Sequence, residues 1–153
     1  MFETLVAESE GAIGRITLNR PEKLNPLSIK TLEELAAAAR FFDGKPEVKI
    51  VIVRGKGRAF SAGADLASMA GQADRPAQEA ADVGRQMADA LEAMRALLIA
   101  EIQGWCVGGG VVLAAACDLR IAAEDARFSI PEVDLGIPLA WGGIPRLVRE
   151  IGP

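Results

Sequence analysis

The stretch Gly104-Trp105-Cys106-Val107-Gly108-Gly109-Gly110, running on through Val111-Val112-Leu113-Ala114-Ala115-Ala116-Cys117 to Asp118, decides how this chain is read. Three consecutive glycines stand before a wholly apolar segment, predicted to be a helix over Val111 to Cys117. Glycine lets backbone approach a ligand closely, and the first amides of a helix have no intrahelical partner. Together they make a donor site for an oxygen carrying negative charge. The same glycines also serve the tight packing of a helix on a strand, and the residues alone leave both readings open. The stretch is neither a GxGxxG fingerprint nor a GxxxxGK[ST] loop, so phosphate cradling by those routes has no support.

Outward from this stretch the elements alternate irregularly. Ile99 to Ile102 before it and Leu119 to Ala122 after it read as strands, and Phe128-Ser129-Ile130 as one more. Toward the N-terminus, Phe2 to Ala7 and Ala12 to Leu18 read as a hairpin turning at Glu10-Gly11. Ser28 is a good N-cap for a helix to about Phe42, with Gly44 past its end. Ile29, Leu32, Leu35, Ala36, Ala39 and Phe42 form its apolar face. Val48 to Val53 is β-branched and near-continuously apolar, which predicts burial on both faces. A long helix is expected from about Ala77 to Leu97, and a last one from Ile144 to Ile151. Gly71 to Pro76 reads as a mobile loop within the domain and as a flexible pocket edge. The order is α/β without the strict alternation of a doubly wound sheet. No repeat of 20 to 50 residues stands out.

Composition narrows the chemistry. The 153 residues contain no histidine and no tyrosine. A Ser-His-Asp triad, a Cys-His dyad and an HExxH zinc site are therefore absent from this chain. The two cysteines, Cys106 and Cys117, form no CxxC pair and read as small buried hydrophobes rather than metal ligands. Net charge is −4, which speaks against nucleic acid as a partner. The longest uncharged stretch, Ile102 to Cys117, is too short to span a bilayer and is broken by glycines. A soluble, cytoplasmic protein with free thiols is the expectation.

Acid–base work must then fall to carboxylates, lysines, serines or backbone. Ser61 to Asp65 forms a second small-residue loop; with the glycine stretch it could supply one backbone N–H each to a single oxyanion, or be a turn. Glu132 sits among Ile130, Val133 and Leu135, and such neighbours would strip part of its hydration and suit it to proton transfer. A solvated loop glutamate is the other reading. Asp134 is a weaker candidate of the same kind. Arg54-Gly55-Lys56-Gly57-Arg58 could meet phosphates or be a solvated loop. Trp105 and Trp141 read as core or pocket wall.

Four blocks in order resemble the enoyl-CoA hydratase/isomerase (crotonase) family. They are Asn19-Arg20-Pro21-Glu22-Lys23-Leu24-Asn25, then Gly57-Arg58-Ala59-Phe60-Ser61-Ala62-Gly63-Ala64-Asp65-Leu66. The glycine stretch follows, with Asp118-Leu119-Arg120-Ile121-Ala122. The last is Phe128-Ser129-Ile130-Pro131-Glu132-Val133-Asp134-Leu135-Gly136. The resemblance implies a ClpP/crotonase-like spiral of ββα units and a substrate that is an acyl thioester of coenzyme A. Coenzyme A is then part of the substrate, and neither a separate cofactor nor a metal is expected. The resemblance places the oxyanion amides on Ala64 and Gly109 and the acid–base group at Glu132. It places coenzyme A contacts at Lys23, Leu24, Ala62, Gly63, Asp65, Leu66 and Gly108.

One position departs from the hydratase pattern. Hydratases of the family use two glutamates. The second matches Glu132, but the first would fall at Val112. The family's double-bond isomerases work with one glutamate, so isomerase-type proton shuttling is favoured over hydration. Another enolate reaction, such as decarboxylation or thioester hydrolysis, and non-catalytic binding of a coenzyme A thioester are the alternatives. The family also implies a longer protein with a C-terminal helical region and assembly as a trimer or dimer of trimers. Residues 1–153 are then its spiral core.

Overall fold

The computed structural model describes residues 1–70 and 77–153; the segment read as a mobile loop, 71–76, lies outside the described residues. The chain opens with a hairpin of β1 (Leu5–Glu10) and β2 (Ile13–Leu18), antiparallel with Leu5 opposite Leu18. The first strand starts at Leu5 rather than Phe2. The amides of Glu3 and Thr4 are taken by the Glu34 carboxylate instead, both at 2.8 Å. Helix α1 (Ile29–Asp43) begins where expected, with Ser28 Oγ accepting from the Thr31 amide, and its six predicted apolar residues are all buried.

The remainder is a spiral of three turns. Strand β3 (Ile50–Gly55) lies parallel to β2; then come β4 (Ala59–Ser61), α2 (Leu66–Ala70) and α3 (Ala77–Glu92). The next turn is β5 (Leu97–Ile102), β6 (Trp105–Val107) and α4 (Gly109–Ala115). The last is β7 (Leu119–Ala122), β8 (Arg127–Ser129) and α5 (Gly143–Ile151). The first strands of the turns extend one sheet in the order β1-β2-β3-β5-β7, and the second strands form another, β4-β6-β8. Ile52 pairs with Ile99, but Ile99 pairs with Leu119, so the first turn is over twice as long as the second. Unequal turns hide the repeat from sequence.

Several boundaries differ from expectation. Helix α3 stops at Glu92 because Arg95 bonds Asp43 and Leu97 then pairs into the sheet, its amide donating to Lys49 O at 2.9 Å. In β3 only Val51, Val53 and Gly55 are buried, and Ile50, Ile52 and Arg54 are half-buried. One face of this sheet packs on helices, while the other also presents Glu8, Thr17 and Glu101. Helix α4 starts at Gly109, two residues early, and is buried along its whole length. Its glycines allow this: a Cβ on Gly110 would stand 3.0 Å from Ser61 Cβ. Leu119, Ile121, Phe128 and Ile151 are exposed on the last turn. Among the described residues no helix is long and apolar enough to cross a membrane.

Candidate active site

The site is assembled by two loops that follow strands of the small sheet. Beyond β4 the chain runs beside residues 24–27, with the Ala62 amide donating to Leu24 O at 2.8 Å. A single parallel bridge joins Leu27 to Ala64. Its two bonds run from the Leu27 amide to Gly63 O (2.7 Å) and from the Asp65 amide to Leu27 O (3.0 Å). Both use groups flanking Ala64, so the Ala64 N–H is turned away from Leu27.

Buried side chains hold this loop. Asn25 Nδ2 donates to Lys56 O and Ala59 O, both at 2.9 Å, and its Oδ1 accepts from the Arg20 amide. Ser61 Oγ donates to Asn25 O (2.8 Å) and accepts from the Gly63 amide. Asp65 Oδ1 accepts from the Ser68 amide at the start of α2, and Asp65 Oδ2 accepts from Arg20 Nη1 at 2.9 Å. Burial pushes the Asp65 carboxyl up; the bonds from Arg20 and Ser68, with the charges of Arg20 and Lys23, outweigh it, and the net shift is downward.

The second loop follows β6. Gly108 has φ 48 and ψ −110, a conformation that suits glycine, and leads into α4. Gly109, as the first residue of α4, has no intrahelical acceptor for its N–H. The loops touch: a Cβ on Gly63 would stand 2.7 Å from Val107 O and 3.5 Å from Gly109 N.

Glu132 comes from the turn after β8. Gly108 N donates to Ser129 O at 2.8 Å, and the chain then winds through turns in which Ile137 N bonds Glu132 O. The carboxylate lies on Gly108: a Cβ there would stand 2.6 Å from Glu132 Oε1. Glu132 Oε2 is buried and has no hydrogen-bond partner among the described residues. Of its three predicted neighbours, Ile130 is half-buried against the core, but Val133 and Leu135 are 75% and 68% exposed. The turn directs them outward, and Gly108 with the pocket wall takes their place. Asp134 is also exposed.

One pocket of about 170 Å³ is lined by Ala64, Gly109, Val112, Glu132, Leu139 and Trp141, among others. Thus the three predicted reacting groups line a single cavity, and Leu66 lines it too. Gly63 lies against Val107 and Gly109, Gly108 lies against the Glu132 carboxylate, and Leu24 and Ala62 hold the first loop. Lys23 is exposed beside that loop, at the end of the 3-10 turn Pro21–Lys23. Asp65 spends its carboxylate on Arg20 and α2.

Trp141 is buried as pocket wall, but Trp105 is half exposed, with Arg127 stacked 5.9 Å from its ring centroid. Cys106 and Cys117 are buried, and burial pushes both thiols up to about 12. Sequence reasoning missed Asn25 and Ser61 as the hub of the first loop. It also missed residues 137–140 as wall, where no periodicity marks the chain.

Comparison with known proteins identifies the family. Residues 8–153 match the family model described as enoyl-CoA hydratase/isomerase. A crotonyl-CoA hydratase of Syntrophomonas wolfei is 39% identical over 153 residues, covering 99% of this chain and 59% of that protein. A solved enoyl-CoA hydratase/carnithine racemase from Magnetospirillum magneticum superposes with a TM-score of 0.93 at 32% identity, over 100% of this chain and 58% of that one. An enoyl-CoA hydratase subunit of Geobacillus kaustophilus superposes with a TM-score of 0.88 at 40% identity, over 99% and 58%. The chain therefore spans under three-fifths of the length of these relatives. Fold, site and family model lead to one assignment: the chain belongs to the enoyl-CoA hydratase/isomerase family.

Proposed function

We propose that the protein is an enzyme acting on coenzyme A thioesters through an enolate, with Glu132 as its single acid–base group. The observation that carries this is the convergence of Ala64, Gly109 and Glu132 on one pocket whose facing helix presents Val112. The amides of Ala64 and Gly109 would donate to the thioester oxygen, and a donor pair preset for developing negative charge lowers the barrier to enolate formation. On a 3-enoyl thioester, the Glu132 carboxylate takes a proton from C2. The electron pair moves into a dienolate whose oxygen the two amides hold. Glu132 then returns the proton to C4, giving the conjugated 2-enoyl thioester. One carboxylate suffices because the proton leaves and returns on one face.

Hydration is the second reading, and relatives named as hydratases favour it. In its family form it needs a second carboxylate, and the apolar Val112 cannot polarise water. Lys23, Leu24, Ala62, Gly63, Asp65, Leu66 and Gly108 belong to the proposed coenzyme A-binding region. Assembly as a trimer or dimer of trimers is part of the same proposal, supported by the exposed Leu119, Ile121 and Phe128. The deciding assay supplies 3-enoyl-CoA and 2-enoyl-CoA separately. Formation of the 2-enoyl product, lost in Glu132→Gln, is expected. Efficient formation of 3-hydroxyacyl-CoA with Val112 in place would sink the single-carboxylate reading.

A further inference from the structure

Trp141 is the largest side chain on the pocket that carries Ala64, Gly109 and Glu132, and it is fixed from several sides. Its backbone has φ 60, a left-handed conformation that a bulky residue adopts only when its surroundings impose it. Those surroundings are specific. The indole lies against Gly84 of α3 and Gly109 of α4, and a Cβ on either glycine would overlap the ring. Arg146 Nη1 donates to Gly142 O at 3.1 Å and to Trp141 O at 3.5 Å. Arg146 Nη2 donates in turn to Asp89 Oδ1 (2.6 Å) and Glu92 Oε2 (2.8 Å) of α3. A Cβ on Gly142 would stand 2.5 Å from Arg146 Nη1, so the clamp passes directly over that glycine. The ring is thus a wedge between two helices, tied to one of them by a buried guanidinium.

The space this wedge leaves is small. The pocket beside the ring is about 170 Å³, of the same order as an apolar cavity of about 150 Å³ that accepts a benzene molecule. We propose that Trp141 is the specificity-determining wall of this pocket and restricts the acyl part of the thioester to short or compact groups. The inference rests on the thioester reading above. It concerns which acyl group is admitted, not how the proton moves.

Two variants test it in the full protein. Trp141→Gly removes the ring and suits the left-handed backbone; Trp141→Phe removes part of the ring. The measurement is kcat/KM on 2-enoyl- and 3-enoyl-CoA of four to ten carbons. The wild-type protein is expected to discriminate against ten carbons. The ten-to-four ratio is expected to rise about tenfold or more in Trp141→Gly, with Trp141→Phe between them. A ratio cancels any loss of folded protein. An unchanged ratio overturns the inference, as does a wild-type protein that accepts ten carbons as readily as four.

Affinities for saturated butyryl-CoA and decanoyl-CoA separate this inference from the reaction itself. If neither enoyl series turns over, yet butyryl-CoA binds more tightly and Trp141→Gly reverses the order, the wall is upheld and the reaction assignment fails. Binding of no acyl-CoA of any length overturns both.

Discussion

The carboxylate of Glu132 rests on the bare backbone of Gly108: a Cβ added there would stand 2.6 Å from Oε1. The same glycine sets the path into α4, so one residue governs both the proposed base, Glu132, and the amide of Gly109. Gly108→Ala is expected to cost about 2 kcal/mol of stability, because φ 48 with ψ −110 is a region a residue with a Cβ rarely adopts. It should also lower kcat by about 100-fold or more, the size of a misplaced general base, with a smaller change in KM. Steady-state kinetics beside a thermal melt would check this. Wild-type kcat in a folded Gly108→Ala protein would show that the close contact does not position the base.

Asn25 is the hub of the loop that carries Ala64. Asn25→Asp turns a donor that faces the Lys56 and Ala59 carbonyls into a charged acceptor. A loss of about 3 kcal/mol is expected, more than for Asn25→Ala. Urea unfolding of both variants decides it, and equal stability of the Asn25→Asp and Asn25→Ala proteins would count against the hub.

Asp65 and Glu34 give the acid limb of stability its sign. For both carboxyls burial acts upward. In Asp65 it is outweighed by Arg20 and the Ser68 amide, and in Glu34 by the Glu3 and Thr4 amides, the Thr4 hydroxyl and Lys30. Their folded pKa values are lowered. The stabilisation is therefore fully present above the usual carboxyl range near pH 4 and is lost as pH falls through the folded values. Asp65→Asn should destabilise more at pH 7 than at pH 3. Equal penalties at both pH values in urea titrations would remove the linkage.

Arg146 is buried, whereas its partners Asp89 and Glu92 reach solvent. Removing it strands no deeply buried carboxylate, so Arg146→Ala should cost about 2 kcal/mol, less than a fully buried pair would. It should also free the Trp141 backbone. Of the two tryptophans only Trp141 is buried, so a red shift of native emission is the readout. Unchanged emission would mean that the packing of Gly84 and Gly109 alone fixes the ring.

Elements with strong local patterns were legible in sequence. The cap at Ser28 and the stripe of α1 are set within one helix, and Leu119–Ala122 is bounded by its own neighbours. Of the small sheet, β8 is read from sequence one residue late, whereas β4 and β6 have three residues each, too short for alternation to register. Their existence depends on pairing with one another across the spiral. Glu132 could be named from its block, but its true surroundings could not, because the turn sends Val133 and Leu135 outward. Asn25 and Arg146 are ordinary polar residues in sequence, and only long-range contacts give them roles. The left-handed backbone of Trp141 has no sequence signal, since a tryptophan there is imposed by tertiary packing.

The Leu27–Ala64 bridge and the start of α4 bring two main-chain segments to the pocket wall, and in the proposed reaction the donors are their amides rather than side chains. A donor made of backbone survives replacement of the side chain it belongs to, provided the chain keeps its course. Under the proposed function, the reacting repertoire can therefore be rewritten at positions such as 112 and 132 while the proposed cradle beneath it stays in place. That separation divides the labour of the site: its geometry is inherited through the main chain, and its reactivity is open to revision one side chain at a time.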